Sequence, residues 1–220
     1  MFASELISNS IPPLKTSDSV QKALDRMAEF KLYHLPIVNE TQFLGLVAEE
    51  ELIEVRDVQQ PIGSLSLSIL NPFVFEDVHV YDIIRLFNQL HLSVVPVLDY
   101  KKNYLGLISI NSLLEYTSNI FAVKEYGGII VLEISNRNNS LSHMAQIVEA
   151  DNAQILSSYV QSFPDSTRLE VTLKINKTDL SGIIASFERY DYQVKAVFNS
   201  TISDNGTEDR FNSFMNYLNV

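Results

Sequence analysis

The sequence predicts an α+β fold in two parts: a βαββα unit written twice, then a single βαββαβ sandwich. Three observations predict it. The stretch HLPIVNETQFLGLVAEEEL (34–52) recurs as VVPVLDYKKNYLGLISINSL (94–113). An apolar stripe at helical spacing precedes each copy, at an offset of 60 residues. After Gly127-Gly128 the periodicities run once through strand, helix, strand, strand, helix, strand.

With Pro12 placed over Pro72, the helix stripes superimpose. Val20, Ala23, Leu24, Met27 and Phe30 form the first; Val80, Ile83, Ile84, Phe87 and Leu90 form the second. Both follow i, i+3, i+4, i+7, one buried helix face. Ser17/Asp18 and Glu76/Asp77 precede them and suit N-caps or first turns. Leu35-Pro36-Ile37-Val38 and Val95-Pro96-Val97-Leu98 are short apolar runs, read as buried strands. The polar turns Asn39–Gln42 and Asp99–Asn103 suit hairpins, and the second is one residue longer. Leu44-Gly45-Leu46-Val47 then aligns with Leu105-Gly106-Leu107-Ile108 at offset 61, and closing helices start near Glu49 and Asn111. Each copy is strand–helix–strand–strand–helix. Such small sheets cannot bury both faces alone, so the copies are expected to pack on each other.

Beyond Gly127-Gly128, a boundary signal, Ile129–Ile134 reads as a strand. Ser140 can cap a helix with the stripe Leu141, Met144, Ala145, Val148. Gln154–Gln161 is a strand. Arg168–Ile175 alternates, with Leu169, Val171, Leu173 and Ile175 on one face. Asp179 opens a helix that buries Leu180, Ile183, Ile184 and Phe187, and Gln193–Asn199 is the last strand. This is the split-βαβ order. In the polar tail, Phe211, Phe214, Met215 and Leu218 fall at i, i+3, i+4, i+7, a short amphipathic helix that alone is marginal. The expected divisions are 1–124 for the duplicated pair (1–58 and 59–124), 125–200 for the sandwich, and 201–220 for linker and terminal helix.

Composition bounds the chemistry. The 220 residues are 46% apolar and 20% charged, ordinary for a globular chain. There is no cysteine, which excludes disulfides, thiolate metal sites and a cysteine nucleophile. The net charge of −11 is shared, with 15 acids against 9 bases in residues 1–124 and 12 against 7 in the rest. No basic run stands out, so nucleic acid is not an expected partner. MFASELISNSIPPL lacks a basic n-region and a long apolar core, so no signal peptide is expected. No apolar run approaches the roughly 18 residues of a membrane helix. A cytoplasmic location away from membranes is expected. The four histidines are scattered, and the seven glycines form neither a Walker loop nor a dinucleotide fingerprint. Ser140, Ser142 and His143 lie close together without a nucleophile elbow. No catalytic or metal-binding residue is expected.

The duplicated Pro-centred strand, the Leu-Gly-Leu strand and the 60-residue repeat resemble the cystathionine β-synthase (CBS) domain family, over about residues 1–117. The resemblance implies a regulatory module binding adenine nucleotides in clefts between the copies. The family's glycine strand is often followed by Thr or Ser three residues on, toward phosphate, and Asp six residues on, toward the ribose hydroxyls. A hydroxyl can donate to phosphate, and a carboxylate can accept from two vicinal O–H groups. Here copy one has Ala48 and Glu51 at those positions, within the acidic run Glu49-Glu50-Glu51. Copy two has Ser109 and Ser112. The copy-two cleft is the better candidate, with Ser109 and Ser112 toward sugar and phosphate and Val94 and Pro96 flanking a base. Glu51 can reach a ribose hydroxyl. His34, equivalent to Val94, can stack, hydrogen-bond or serve structure alone.

The second part resembles the ferredoxin-like ACT domains over about residues 127–199, although the family's Asp-x-Pro-Gly-like turn is absent. That resemblance implies dimerisation and, as a weaker expectation, an amino-acid effector near Arg137, Asn138 and Asn139. The combined architecture is also similar to CBS proteins associated with acetoin utilisation. The expected function is a non-catalytic, homodimeric sensor of an adenine-containing ligand (AMP, ADP, ATP or S-adenosylmethionine), with no required cofactor and an unknown protein partner. A ligand-free homodimeric scaffold and an amino-acid sensor remain open.

Overall fold

In the computed structural model, which describes residues 1–8, 10–65, 72–135, 140–164 and 166–199, the duplicated phrase folds as two equivalent halves. The first contains α1 (Val20–Phe30), β1 (His34–Asn39), β2 (Gln42–Ala48) and a short α2 (Glu49–Ile53). The second contains β3 (Val74–Phe75), α3 (Val80–Leu90), β4 (Val94–Leu98), β5 (Tyr104–Ser109) and α4 (Ile110–Ile120). The stripes hold at their centres: Val20, Ala23, Met27, Val80, Ile83 and Phe87 are buried. Ile84 and Leu90, expected inward, are partly open to solvent at 38% and 48%. The helix caps also differ from expectation. Ser19, not Ser17 or Asp18, accepts the Lys22 N–H, and His79, not Glu76 or Asp77, accepts the Tyr81 N–H. Asp18 instead accepts the Lys15 N–H and pairs with Lys22.

The leading strand of copy one is reduced to one residue. Leu14 bridges Ile37 in parallel, and Val74–Phe75 pairs with Val97–Leu98 in the same sense. Pro12 and Pro13 have no N–H to lend to a ladder, so pairing starts only at Leu14. Both hairpins carry a bulge at the same place. Ile37 faces Gly45 and Val38 faces Phe43; Val97 faces Gly106 and Leu98 faces Tyr104. The recurring Leu-Gly-Leu marks that bulge, with φ of 149° at Gly45 and 154° at Gly106.

The two copies exchange their leading segments. Phe2 bridges His79, ahead of α3, and Pro61 bridges Ser19, ahead of α1. Ala3 and Leu6 thereby sit in the core with copy-two residues, and Ile62 is buried at the other end of the exchange. At the hairpin tips Gln42 bridges Asn103, and the rings of Phe43 and Tyr104, equivalent positions, stack with centroids 6.5 Å apart. One continuous core runs through both copies, as the packing argument requires.

The chain divides into two units, Met1–Thr117 and Ser118–Val220. The second contains β6 (Gly128–Ser135), α5 (Leu141–Ala150), β7 (Ile155–Ser162), β8 (Arg168–Ile175), α6 (Ser181–Arg189) and β9 (Gln193–Asn199). Its sheet runs β7-β8-β6-β9, antiparallel throughout, so the two βαβ crossovers interleave in the ferredoxin-like manner. Ile130, Leu132, Val171, Leu173 and Ile175 pack with Met144, Ile147, Val148, Ile183 and Phe187 in its core. Ser140 caps α5 as expected, accepting the His143 N–H. Lys174, expected on the outer strand face, is only 7% exposed, and its ammonium donates to the Gly127 carbonyl. Arg137, Asn138, Asn139 and the expected terminal helix lie outside the described residues.

Candidate functional site

The copy-two residues converge where β5 turns into α4. Ser109 is the last residue of β5, directly opposite Val94 in the antiparallel ladder. Its side chain turns into the next helix. Ser109 Oγ accepts the Ser112 N–H at 3.0 Å and lies 2.8 Å from Ser112 Oγ. This is an N-cap, which satisfies one of the orphan donors of the first helical turn. Ser109 is 3% exposed, Val94 fully buried and Pro96 buried. Ser112 is half-buried.

Copy one builds the equivalent corner differently. Ala48 stands opposite His34 and offers no side-chain cap to α2, whose first turn is Glu49-Glu50-Glu51. These carboxylates complement the helix N-terminus and leave a field that opposes an anion. In copy two, no acidic residue occupies the first turn of α4. The helix dipole there favours phosphate, although the Ile110 N–H already donates to the Ser93 carbonyl and the Ser112 N–H to Ser109 Oγ. Glu51 is half-buried.

The corners meet across a seam. Ser93, 6% exposed, directs Oγ to the N–H groups of both Tyr33 (3.0 Å) and His34 (2.9 Å). The Ser93 N–H donates to His34 Nδ1 at 3.3 Å. That bond uses Nδ1 as an acceptor, which places the ring proton on Nε2. Burial lowers the His34 pKa, and Glu50 opposes the shift only in part. Sequence reasoning missed Ser93. Its signal is a small hydroxyl inside the apolar run Leu92–Val97, where the repeat has Tyr33.

Thus His34, Val94, Ser109 and Ser112 gather at one end of the strands, with Ser93 between them. A cleft of about 770 Å³ opens elsewhere, at the copy-one hairpin tip, lined by Pro13, Lys15, Val38 and the turn 39–42. None of the candidate residues lines it. No group of three or more potential metal ligands occurs among the described residues, and no helix among them is long and apolar enough to cross a membrane.

A βαββα unit written twice around one shared core, with a side-chain-capped corner at Ser109 in copy two and an uncapped one at Ala48 in copy one, defines a paired domain module. The chain belongs to the CBS domain family, whose model matches residues 3–58 and 65–119, just over half of it. No curated protein matches the chain. Among solved structures it is similar to a CBS domain pair/ACT domain protein from Thermotoga maritima, with 22% identity, 53% of this chain and 96% of that one covered, and a TM-score of 0.48. It is also similar to CBSX2 in complex with AMP, with 17% identity, 56% and 98% coverage, and a TM-score of 0.47. A third is the CBS domain of a bacterial CNNM/CorC family Mg2+ transporter in complex with ATP, with 13% identity, 52% and 85% coverage, and a TM-score of 0.43.

Proposed function

We propose that the chain is a non-catalytic, cytoplasmic regulator that senses an adenine-containing nucleotide at the copy-two corner. The observation that carries this reading is the acid-free N-terminus of α4 with two hydroxyls, Ser109 and Ser112, at its mouth. There the two hydroxyls meet phosphate or ribose, and Val94 and Pro96, both buried, present apolar surface to a base only once the side chains covering them move. Ser109 is nearly inaccessible, so a ligand reaching it must displace side chains that cover it. The ligand then favours one packing of the copies over another, which is the requirement for a signal. AMP, ADP, ATP and S-adenosylmethionine share the adenosine part that this corner can hold. In our reading residues 125–200 form an ACT-like dimerisation or readout domain, and an unknown protein receives the signal.

Isothermal titration with these four ligands tests the reading. Ser109→Ala is expected to weaken binding by roughly tenfold or more, the value of a hydrogen bond to a charged group. It also removes a helix cap, at a cost of about 0.5–2 kcal/mol. Ser109→Thr, which keeps the hydroxyl, is expected to retain most of the affinity. Absence of binding by all four ligands, or equal affinity in Ser109→Ala, sinks the assignment.

The proposed homodimer also has a specific observation behind it. Ile53 on α2 and Leu114 on α4 are equivalent at offset 61, and each is 66% exposed. Ile110 adds to this apolar surface at 44%. Equivalent apolar positions on two pseudo-symmetric helices suit an isologous contact with a second copy. Leu114→Glu is expected to shift the chain from dimer to monomer in light scattering at micromolar concentration. A dimer of unchanged affinity places the contact on other elements.

A further inference from the structure

In the Ser118–Val220 unit, a surface cleft of about 110 Å³ lies between α5 and α6. Two small residues open it, Ala150 on α5 and Ser186 on α6. Its walls combine one apolar part, Ile147 and the Tyr190 ring, with several donors. Arg189 is the cation among them. Its guanidinium carbon lies 5.2 Å from the centroid of the Tyr190 ring, which supports the charged plane from below. Arg189 forms no ion pair among the described residues.

His143 is the second donor, and it is held from two sides. Its Nδ1 lies 2.9 Å from the Tyr192 hydroxyl, and its ring meets Tyr190 edge-on at 4.9 Å. With the phenol donating to Nδ1, the ring proton sits on Nε2, and Nε2 becomes a donor. The amides of Gln146 and the hydroxyl of Ser186 complete the polar lining.

We propose that this cavity binds a small organic monocarboxylate, its carboxylate on Arg189 and His143 and its short carbon chain against Ile147 and Tyr190. The lining holds no carboxylate, so an α-ammonium group finds no counter-charge there. An amino acid is therefore the wrong ligand for this cavity. One guanidinium in an acidic chain also suits a single negative charge better than a phosphate dianion. The volume admits a few heavy atoms, and affinity for so small a ligand is expected at about the millimolar level. The inference does not depend on nucleotide binding in the first unit.

The test is a 1H–15N titration of the full chain with sodium propionate. Saturable shifts are expected for residues 143–150 and 186–192, with the first unit unmoved. Arg189→Gln is expected to weaken binding about tenfold or more, since a charge-assisted bond is lost. Ala150→Leu fills the cavity and is expected to abolish the shifts with the spectrum otherwise preserved. Alanine, which adds an ammonium group to the same carbon skeleton, and inorganic phosphate are expected to bind at least tenfold more weakly. The proposal is overturned by a propionate titration without saturable shifts, by an Arg189→Gln affinity equal to that of the parent, or by alanine or phosphate binding as tightly as propionate.

Discussion

Gly127→Ala is expected to unfold the Ser118–Val220 unit at temperatures where Met1–Thr117 remains folded. Gly127 has φ of +135°, and an added Cβ would stand 1.7 Å from the Ile175 carbonyl oxygen and 2.7 Å from its carbonyl carbon. Those are backbone atoms of β8, an interior strand of the sheet. No rotamer change can relieve the overlap, so β6 and β8 must separate at the point where Gly128 pairs with Ile175. The left-handed backbone alone costs about 1–2 kcal/mol for a residue with a Cβ. Overpacking against fixed neighbours adds about 1–3 kcal/mol or more. A domain of this size loses about 4–8 °C per kcal/mol, so a drop well above 10 °C is expected. Calorimetry reads it as one of two transitions moving down while the other stays. Gly128→Ala provides the contrast. Its Cβ would meet the end of the Leu180 side chain at 2.5 Å, a group that can turn away, and the expected loss is smaller. Equal melting of Gly127→Ala and the parent would falsify the close-approach account.

The same glycine shows where the sequence can and cannot be read. Gly127-Gly128 is legible as punctuation, and β6 does begin there. That the first glycine abuts the backbone of a strand nearly fifty residues away is a tertiary fact, with no local trace. The repeat was far more informative, because two copies report on one another. Pro36 and Pro96, or Gly45 and Gly106, align only if both halves adopt one fold, and the register of each hairpin confirms it down to the bulge. What the repeat hid was the exchange of leading segments. A duplicated pattern reads the same whether each copy keeps its own N-terminal segment or lends it to the other. Within the candidate corner, Ser109 was legible from its distance to Gly106. Its capping bond to Ser112 follows from ordinary helix chemistry. Ser93 stands out in the sequence only as a hydroxyl inside an apolar run; that it accepts from two backbone groups about sixty residues earlier leaves no local trace.

Ser93→Ala is expected to cost roughly 1–3 kcal/mol of the stability of Met1–Thr117, a large effect for one hydroxyl. It leaves the part-buried N–H groups of Tyr33 and His34 without their acceptor, and water can replace it only in part. Ser93→Thr, which keeps the oxygen, is expected to lose much less, and equal losses in the two variants would mean that packing rather than hydrogen bonding holds the seam. The pH dependence carries a second signature. Burial depresses the His34 pKa in the folded chain, while the unfolded imidazole titrates near the ordinary value of about 6.5. Below that value the unfolded chain binds a proton that the folded chain refuses, so the His34 contribution is complete above pH 6.5 and is lost as pH falls toward the folded pKa. The melting temperature of the parent is therefore expected to fall more steeply between pH 7.5 and 5.5 than that of His34→Gln; parallel slopes refute the linkage. The seam lies one residue from Val94, the partner of Ser109 in the ladder, and so bears on the nucleotide site proposed above. A ligand that pries Ser109 open pulls on the strand that Ser93 ties to copy one. Weakening that tie lowers the cost of opening, so Ser93→Ala is expected to bind nucleotide more tightly per folded molecule even as it melts earlier, and acidification, which protonates His34, is expected to act in the same direction.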